Sequence, residues 1–335
     1  MKKFLIKMLT VFSPIWILSL AYIVLDPFMV IHSYDNYHIE NQKRFDNKAG
    51  LTLNYDFVGT VTLLKNTVKP NSYIFGSSRS RFYDVADWKR YLPPGAACFH
   101  FDGSGEPVWT VQKKVDFLDK HGYRIDNALF VLDHHLLSTD RPGDGHLFII
   151  SPQLVNNDNL VKFHGSFFRA FCNPAFLYAY FDLLFSKTYK PYMKKLGFVN
   201  ILVTTSDTQT NEVRWEIDGL GDDYYTGDVK AMFYERGSEQ TYYPPAIKKS
   251  QTEILKNIRA VFDRHETNYK IIVNPLYDQK KLDGRDLNEL RNIFGERNIY
   301  DFSGINDFTG DFHNYYEPSH YRPRVAREIL RQIYR

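Results

Sequence analysis

The stretch YIFGSSR at residues 73–79 decides the fold, because a short apolar run ends there in a glycine and two serines. An apolar run bounded by turn residues is typical of a buried strand. Similar runs follow at 96–101, 128–132, 270–274 and 298–302, and helical patterns lie between or after them at 84–91, 107–120, 246–265, 283–293 and 323–334. The alternation predicts a three-layer α/β/α domain with a flavodoxin-type parallel sheet.

Two further segments precede or interrupt this alternation. Residues 138–245 are predicted to form an insertion, aromatic and helical over 167–184 and polar, with loops or a hairpin, over 204–227. Residues 33–70 show no clean period, which predicts a stalk with one or two short helices. The folded domain is then expected to span 71–335.

Composition excludes some classes of protein. The chain has 335 residues, of which 44% are hydrophobic and 16% aromatic, so a packed core is expected and disorder is not. Its 42 basic and 39 acidic residues give a net charge of +3, and no long basic run is interleaved with aromatics. Nucleic acid is therefore not an expected partner.

The N-terminus predicts a membrane anchor. Residues 8–25 carry no charge and follow Lys2, Lys3 and Lys7. By length and flanking charge, residues 1–32 are expected to form a cytoplasmic tip and a single transmembrane helix of the cytoplasmic (inner) membrane, with the rest of the chain extracytoplasmic. A cleaved signal peptide is the alternative, but LDPF at 25–28 is a poor cleavage site.

Cys98 and Cys172 are the chain's two cysteines. In an exported protein they could form a disulfide. Cys98 lies in an apolar run, which favours a small core residue over a bridge.

Ser78 is the first candidate for catalysis. It follows the first predicted strand, at the carboxyl edge where open α/β sheets bind ligands. A serine hydroxyl becomes a useful nucleophile when a neighbouring base removes its proton. The alternatives are an ordinary loop serine, or Ser77 as the nucleophile.

The stretch YYEPSHYRP at residues 315–323 offers that base. Pro318 and Pro323 delay the last helix, and Glu317 precedes His320 by three residues. Across a proline turn, the carboxylate could hold one imidazole nitrogen while the other faces Ser78. The sequence thus predicts a Ser78, His320 and Glu317 triad, against the alternative of a solvated surface turn.

Together the two stretches resemble the SGNH or GDSL-type hydrolases and acyltransferases, in which an early Gly-Asp-Ser motif is completed by a late Asp-x-x-His. GSS at 76–78 matches the first motif and EPSH at 317–320 the last, and the likeness in order and spacing spans 71–335. Membrane-anchored members, including DltD-like and polysaccharide O-acetylation proteins, are the most similar. The resemblance implies that Ser78 is the nucleophile, His320 the general base and Glu317 the orienting acid.

The same resemblance implies an oxyanion hole and reveals departures from the family. The hole would combine the Ser78 N–H with that of Gly103 or Gly105, and the sequence leaves the choice of glycine open. Glu317 stands where the family usually has Asp, and Asp133 stands where it usually has an Asn donor. Either Asp133 points away or is neutral, or the hole relies on backbone donors alone, which would weaken catalysis by about 3 kcal/mol.

Two further residues are candidates for substrate binding. Arg79 could bind an anionic group of the substrate, or pair with Asp84 or another carboxylate. Asn274 could line the cleft, although a turn residue before Pro275 is the preferred interpretation.

A metal site is not expected. Asp133, His134, His135 and His100 are residue types that bind zinc. Adjacent histidines on a strand would point to opposite faces, which argues against a shared ion. No cofactor is expected either.

The resemblance implies acyl transfer through an acyl-serine. The first functional hypothesis is a membrane-anchored O-acyltransferase that modifies a cell-envelope or exported polysaccharide beside a membrane-bound O-acyltransferase partner. A carbohydrate esterase or deacetylase with the same triad is the second. A non-catalytic envelope scaffold is the third.

Overall fold

The computed structural model of the protein describes residues 2–141 and 143–335, and its centre is a five-stranded parallel sheet. The strands are Ser72–Ser77 (β1), Cys98–Gly103 (β2), Asn127–Leu132 (β3), Asn268–Val273 (β4) and Ile299–Asp301 (β5). They are arranged in the order β2-β1-β3-β4-β5. This order confirms the predicted α/β class and flavodoxin-type sheet, whose topological switch point lies between β1 and β3.

Helices and short strand pairs complete the fold. The helices are Lys2–Leu25 (α1), Tyr37–Lys43 (α2), Tyr55–Lys65 (α3), Val85–Lys89 (α4), Val108–Lys120 (α5), His134–Ser138 (α6), Leu160–Phe171 (α7), Pro174–Ser186 (α8), Gly227–Ala231 (α9), Lys249–Arg264 (α10), Gly284–Phe294 (α11), Asp307–Gly310 (α12) and Pro323–Ile333 (α13). The two-stranded pairs are Gly50–Leu51 with Phe198–Val199, Val203–Asp207 with Glu212–Trp215, Thr241–Tyr242 with Lys280–Lys281, and Tyr315–Glu317 with His320–Tyr321.

Helices cover both faces of the sheet. Side chains alternate along a strand, so Phe75 points to one face of β1 and Ile74 to the other. Phe75 belongs to a core that includes residues of α3, α5, α10 and α11, whereas Ile74 packs with residues of α4 and α13. The result is the predicted three-layer arrangement.

The segment 33–70 differs from the predicted stalk, because it is packed into the folded body. Leu63 of α3 is fully buried in the core on one face of the sheet. Phe57, on the same helix, packs against Phe163 of α7 with ring centroids 5.4 Å apart. A hydrated stalk would leave these apolar side chains in water, and their burial is the more stable arrangement.

The insertion has the predicted aromatic, helical character in its first half. Four phenylalanines of α7 and α8 are buried in a cluster with Tyr22, Phe28 and Phe57 rather than against the sheet: Phe163, Phe167, Phe171 and Phe176. In the second half, Val203–Asp207 and Glu212–Trp215 form an antiparallel hairpin, as the polar pattern predicts.

Among the residues that the structure describes, no helix combines the length and the apolar character needed to cross a membrane. The predicted transmembrane helix therefore lacks support from the structure. The side chains of residues 1–9, with Lys2, Lys3 and Lys7, lie outside the described part of the chain.

Both cysteines are free thiols. Cys98 is 5% exposed and packs in the core formed with α4 and α13, which agrees with the favoured interpretation of a core residue. No bond joins it to Cys172.

Gly76 allows β1 to lie close to β3 and turn directly into the segment that carries Ser78. Its φ is +151°, and a Cβ at this position would lie 2.5 Å from the Val131 carbonyl oxygen. Such a distance is well inside van der Waals contact with backbone that cannot easily move. Only glycine fits at this point of the sheet.

The variant Gly76→Ala is expected to lower the free energy of unfolding by at least about 2 kcal/mol, because it adds both backbone strain and a clash. Chemical unfolding of the full-length protein measures the effect. Gly165→Ala is the control, since its Cβ would meet nothing within 4 Å on the exposed side of α7. It should stabilise the protein by about 0.5–1 kcal/mol, and an equal loss in both variants would contradict the argument.

Candidate active site

Ser78 is positioned by a short 3-10 helix, Ser78–Phe82, that begins where β1 ends. Its Oγ lies 2.8 Å from Nε2 of His320. Ser77 is buried, and its Oγ accepts a hydrogen bond from the Arg79 N–H at 3.4 Å. Of the two serines, the structure therefore brings Ser78 to the histidine.

His320 and Glu317 face each other across the hairpin formed by Tyr315–Glu317 and His320–Tyr321. The Nδ1 of His320 donates a hydrogen bond to Oε1 of Glu317. A donating Nδ1 leaves Nε2 as the acceptor that can take a proton from Ser78. The hydrogen bond from His320 also holds the pKa of Glu317 below its usual value, so the acid is a carboxylate at neutral pH.

Aromatic rings hold the imidazole in this orientation. Tyr316 stacks on His320 with ring centroids 5.6 Å apart and planes 16° apart. Phe82 contacts the imidazole edge-on at 6.1 Å. The histidine is thus fixed by a hydrogen bond at one end and by two rings at its sides, which reduces the entropy cost of the reactive geometry.

Asp133 is neutralised by an ion pair. It is 2% exposed, and its Oδ2 lies 2.8 Å from Nη1 of Arg79, while its Oδ1 caps α6 by accepting the Leu136 N–H at 3.1 Å. Burial alone would raise the pKa of Asp133, but Arg79 and the cap hydrogen bond hold it below its usual value. Asp133 is therefore ionised but paired, and Arg79 pairs with it rather than with Asp84.

Tyr321 ties the two motifs together. Its hydroxyl lies 2.8 Å from both the Arg79 carbonyl oxygen and Oδ1 of Asn274. Nε of Arg79 donates to the Ser319 carbonyl at 3.1 Å, which adds a second link. Asn274 is 2% exposed and is not among the described residues that line the cleft, so it acts as a structural partner rather than as part of the cleft wall.

A cavity of about 310 Å³ opens beside Ser78 and His320. Its walls are mainly apolar, with Leu51, Val203 and Trp215 among them, and Ser104 also lines it. Gly103 and Gly105 flank Ser104 but are not among the described lining residues. The oxyanion role of either glycine stays a prediction.

The sequence did not predict the polar side chains that line part of this cavity. Arg81 pairs with Asp102 and lies with its Cζ 3.2 Å from the centre of the Tyr55 ring. Burial lowers the pKa of His38 to about 4, so this ring beside Tyr55 is neutral. Tyr55 and His38 lie in the segment predicted to be a stalk, and no local signal places them near Ser78.

The histidines considered for a metal site serve other purposes. His134 and His135 lie in α6 and not on a strand, so the argument from opposite strand faces was wrong. His100, in β2, contacts the Ser80 hydroxyl at 3.1 Å. Among the described side chains, no group of three potential ligands is close enough to hold an ion.

The variant Glu317→Gln is expected to lower turnover of an activated ester by roughly 10²- to 10⁴-fold, because the amide can present an N–H to the imidazole and favour the wrong tautomer. Steady-state kinetics measure the change. Glu317→Asp is the matched control, since it keeps the carboxylate and should retain more activity than the amide. Unchanged turnover in Glu317→Gln would show that the carboxylate does not orient His320.

No protein-family model matches this chain, and no curated protein matches it either. The class of the site therefore rests on its geometry. A serine, a histidine and a carboxylate are joined by hydrogen bonds in the order of nucleophile, base and orienting acid.

Proposed function

We propose that the protein is a serine acyltransferase of the SGNH type. The observation that carries this proposal is the 2.8 Å contact of Ser78 Oγ with a His320 ring whose other nitrogen is held by Glu317. The flavodoxin-type sheet adds support, because the triad lies at its carboxyl edge beside the β1–β3 switch point.

In the proposed reaction, Ser78 Oγ attacks an ester carbonyl while its proton moves to Nε2 of His320. The carbonyl oxygen becomes an oxyanion, and Glu317 remains ionised and stabilises the imidazolium. His320 then gives the proton to the departing alcohol, which leaves an acyl-serine. A second alcohol loses its proton to His320 and attacks the acyl-serine carbonyl. The bond between Ser78 Oγ and the acyl carbon then breaks, His320 returns the proton to Oγ, and the acyl group leaves on the second alcohol.

The proposed acceptor is a hydroxyl of a cell-envelope or exported polysaccharide, and the proposed location is the outer surface of the cytoplasmic membrane. Large apolar side chains exposed along α1 support membrane association, since they would otherwise lie in water. They include Val11, Trp16, Ile17, Leu20 and Val24. In this proposal a membrane-bound O-acyltransferase supplies the acyl group.

Hydrolysis is the second candidate, because solvent reaches the catalytic side chains. His320 is 19% exposed and Glu317 is 34% exposed. Water at this position could replace the acceptor alcohol, and the protein would then act as a carbohydrate esterase.

The test uses the full-length protein in detergent with p-nitrophenyl acetate, a fluorophosphonate probe and oligosaccharide acceptors. Labelling of the protein, together with acetylated sugar that increases with acceptor concentration, supports the transferase. Labelling with release of acetate alone, at every acceptor concentration, identifies an esterase. Absence of both labelling and turnover contradicts a serine enzyme and leaves the scaffold hypothesis.

A further inference from the structure

A second cavity, of about 220 Å³, adjoins the active-site cavity. The two cavities share part of their walls, which consists of Arg81, Phe82, Trp215 and Ile217. The second cavity is unusually rich in arginine. Its arginines are Arg81, Arg214, Arg322, Arg324 and Arg327.

The acidic residues nearby neutralise only some of these arginines. Arg81 pairs with Asp102 and Arg214 with Asp84, whereas the Asp87 carboxylate lies 4.0 Å from Arg327. Among the described residues, the other two arginines of the cavity, at positions 322 and 324, form no ion pair within 4.0 Å. The cavity thus has more positive than negative charge.

Glu212 also lines this cavity, and its Oε1 lies 3.7 Å from Nε of Arg214, an arginine that Asp84 already pairs. Burial, reinforced by the nearby Asp84 carboxylate, raises its pKa to about 8. At neutral pH the side chain is therefore mostly protonated and uncharged.

Arg322 has donors without acceptors. The residue is 9% exposed, and its Nη1 donates to the Leu220 carbonyl at 2.6 Å. Its Nε and Nη2 are buried and have no hydrogen-bond partner of good geometry among the described residues, and its Cζ lies 5.0 Å from the centre of the Tyr225 ring. Buried unpaired donors on a charged group are costly, and a ligand that accepts from them removes the cost.

The backbone around Arg322 favours an anion as well. Arg322 is the N-cap of α13, an 11-residue helix, and Pro323 occupies its first turn. The N-terminus of a helix carries partial positive charge. In α13, Pro323 has no N–H and the Val325 N–H donates to the Arg322 carbonyl at 3.0 Å, so the helix end contributes positive charge rather than a set of free donors. The Arg322 guanidinium and the helix end both lie at the wall of this cavity, which Arg322, Pro323 and Arg324 help to line.

We propose that this cavity binds an oxyanion, a carboxylate or a phosphate, carried by the glycan on which the enzyme acts. This inference rests on the proposed function and narrows it to acidic polysaccharides. Arg322 follows His320 by two residues, so an anion held at the arginine would direct a neighbouring sugar hydroxyl toward Ser78. Guanidinium groups suit the role because they bind carboxylate and phosphate oxygens with paired hydrogen bonds.

The test measures binding of inorganic phosphate, glucuronate and neutral glucose to the full-length protein by calorimetry at constant ionic strength. The wild type should bind at least one of the two anions and should not bind glucose. Arg322→Gln and Arg324→Ala should each weaken anion binding by roughly tenfold, as loss of a charge-assisted hydrogen bond would. Arg331→Ala is the matched control, because Arg331 lies on the same helix but pairs with Glu328.

The outcomes separate the two anions from each other. Tighter binding of phosphate indicates a phosphodiester-linked glycan, and tighter binding of glucuronate indicates a uronic acid; each supports the inference. Binding of neither anion overturns it, as does equal affinity in Arg324→Ala and Arg331→Ala. Arg324 is exposed, so its variant remains informative if the variant of the buried Arg322 fails to fold.

Fluorophosphonate labelling of the same samples separates this inference from the proposed function. Labelling of Ser78 without anion binding overturns the inference alone and leaves the acyltransferase proposal standing. Anion binding without labelling supports the site and counts against the proposed function.

Discussion

Replacing Ser78 with alanine is expected to abolish labelling by a fluorophosphonate probe and to lower ester turnover by roughly 10³- to 10⁶-fold, as is typical for loss of a triad nucleophile. His320→Ala should lower turnover to a similar extent, because Ser78 then loses the base 2.8 Å from its hydroxyl. The double variant should be little worse than either single variant, since the two residues act as a unit.

Ser77→Ala provides the matched control for these variants. Its hydroxyl accepts the Arg79 N–H and is buried, so its loss should leave labelling of the protein intact. Labelling that disappears in Ser77→Ala but persists in Ser78→Ala would assign the nucleophile to the other serine. Residual turnover in Ser78→Ala equal to that of the wild type would contradict the triad altogether.

Lys114→Met is expected to lower the free energy of unfolding by about 3–5 kcal/mol at neutral pH, which is more than for Gly76→Ala. Lys114 is fully buried, and its ammonium lies 2.7 Å from carboxylate oxygens of both Asp56 and Glu106. It also donates to the Phe101 carbonyl at 3.2 Å. Methionine retains the volume but leaves two buried carboxyl groups without a cation.

The loss of stability caused by Lys114→Met should be smaller at pH 5 than at pH 8. Burial already raises the pKa values of Asp56 and Glu106, and Lys114 opposes that rise. Without the lysine, both folded-state pKa values move further above their unfolded values. The folded variant then binds more protons than the unfolded chain, so its stability falls as the pH rises toward those pKa values.

Chemical unfolding across this pH range measures both effects. Lys113→Met is the control on the same helix, because the Lys113 side chain is 31% exposed and lies 4.0 Å from Asp116. An exposed pair of this kind contributes less than about 1 kcal/mol. Equal losses in the two variants, or a loss that is independent of pH, would contradict the account of the buried cluster.

Short-range patterns explain what the sequence predicts correctly. Strand β1 contains the apolar run 73–75, and Asp84 accepts N–H groups from residues 86 and 87 at the predicted start of α4. Parallel strands bring their carboxyl ends to one edge, which is why Ser78 could be placed at that edge from the sequence. The Glu317 and His320 contact is also local, since its members are three positions apart in the sequence.

Long-range pairings explain what the sequence does not reveal. The segment 33–70 looks irregular because its apolar side chains meet α7 and α8, more than a hundred residues later, rather than following a period of their own. From the sequence alone, Asp133 is a negative charge that would repel an oxyanion. In the structure, Arg79, 54 residues earlier, pairs with it. The arginine-rich second cavity is lined by residues of a hairpin of the insertion and of the last helix, and no sequence motif connects those two segments.

The distance along the chain between Ser78 and His320 has a consequence for biosynthesis. The two residues are 242 positions apart, and the hydroxyl of Tyr321 docks the histidine segment onto the serine segment. During synthesis, Ser78 therefore leaves the ribosome long before His320 is made. In the incomplete chain the Ser78 hydroxyl has no neighbouring histidine and stays unactivated. If the proposed acyl transfer is correct, it would begin only after the last strand pair and α13 have docked, so activity would report completion of folding.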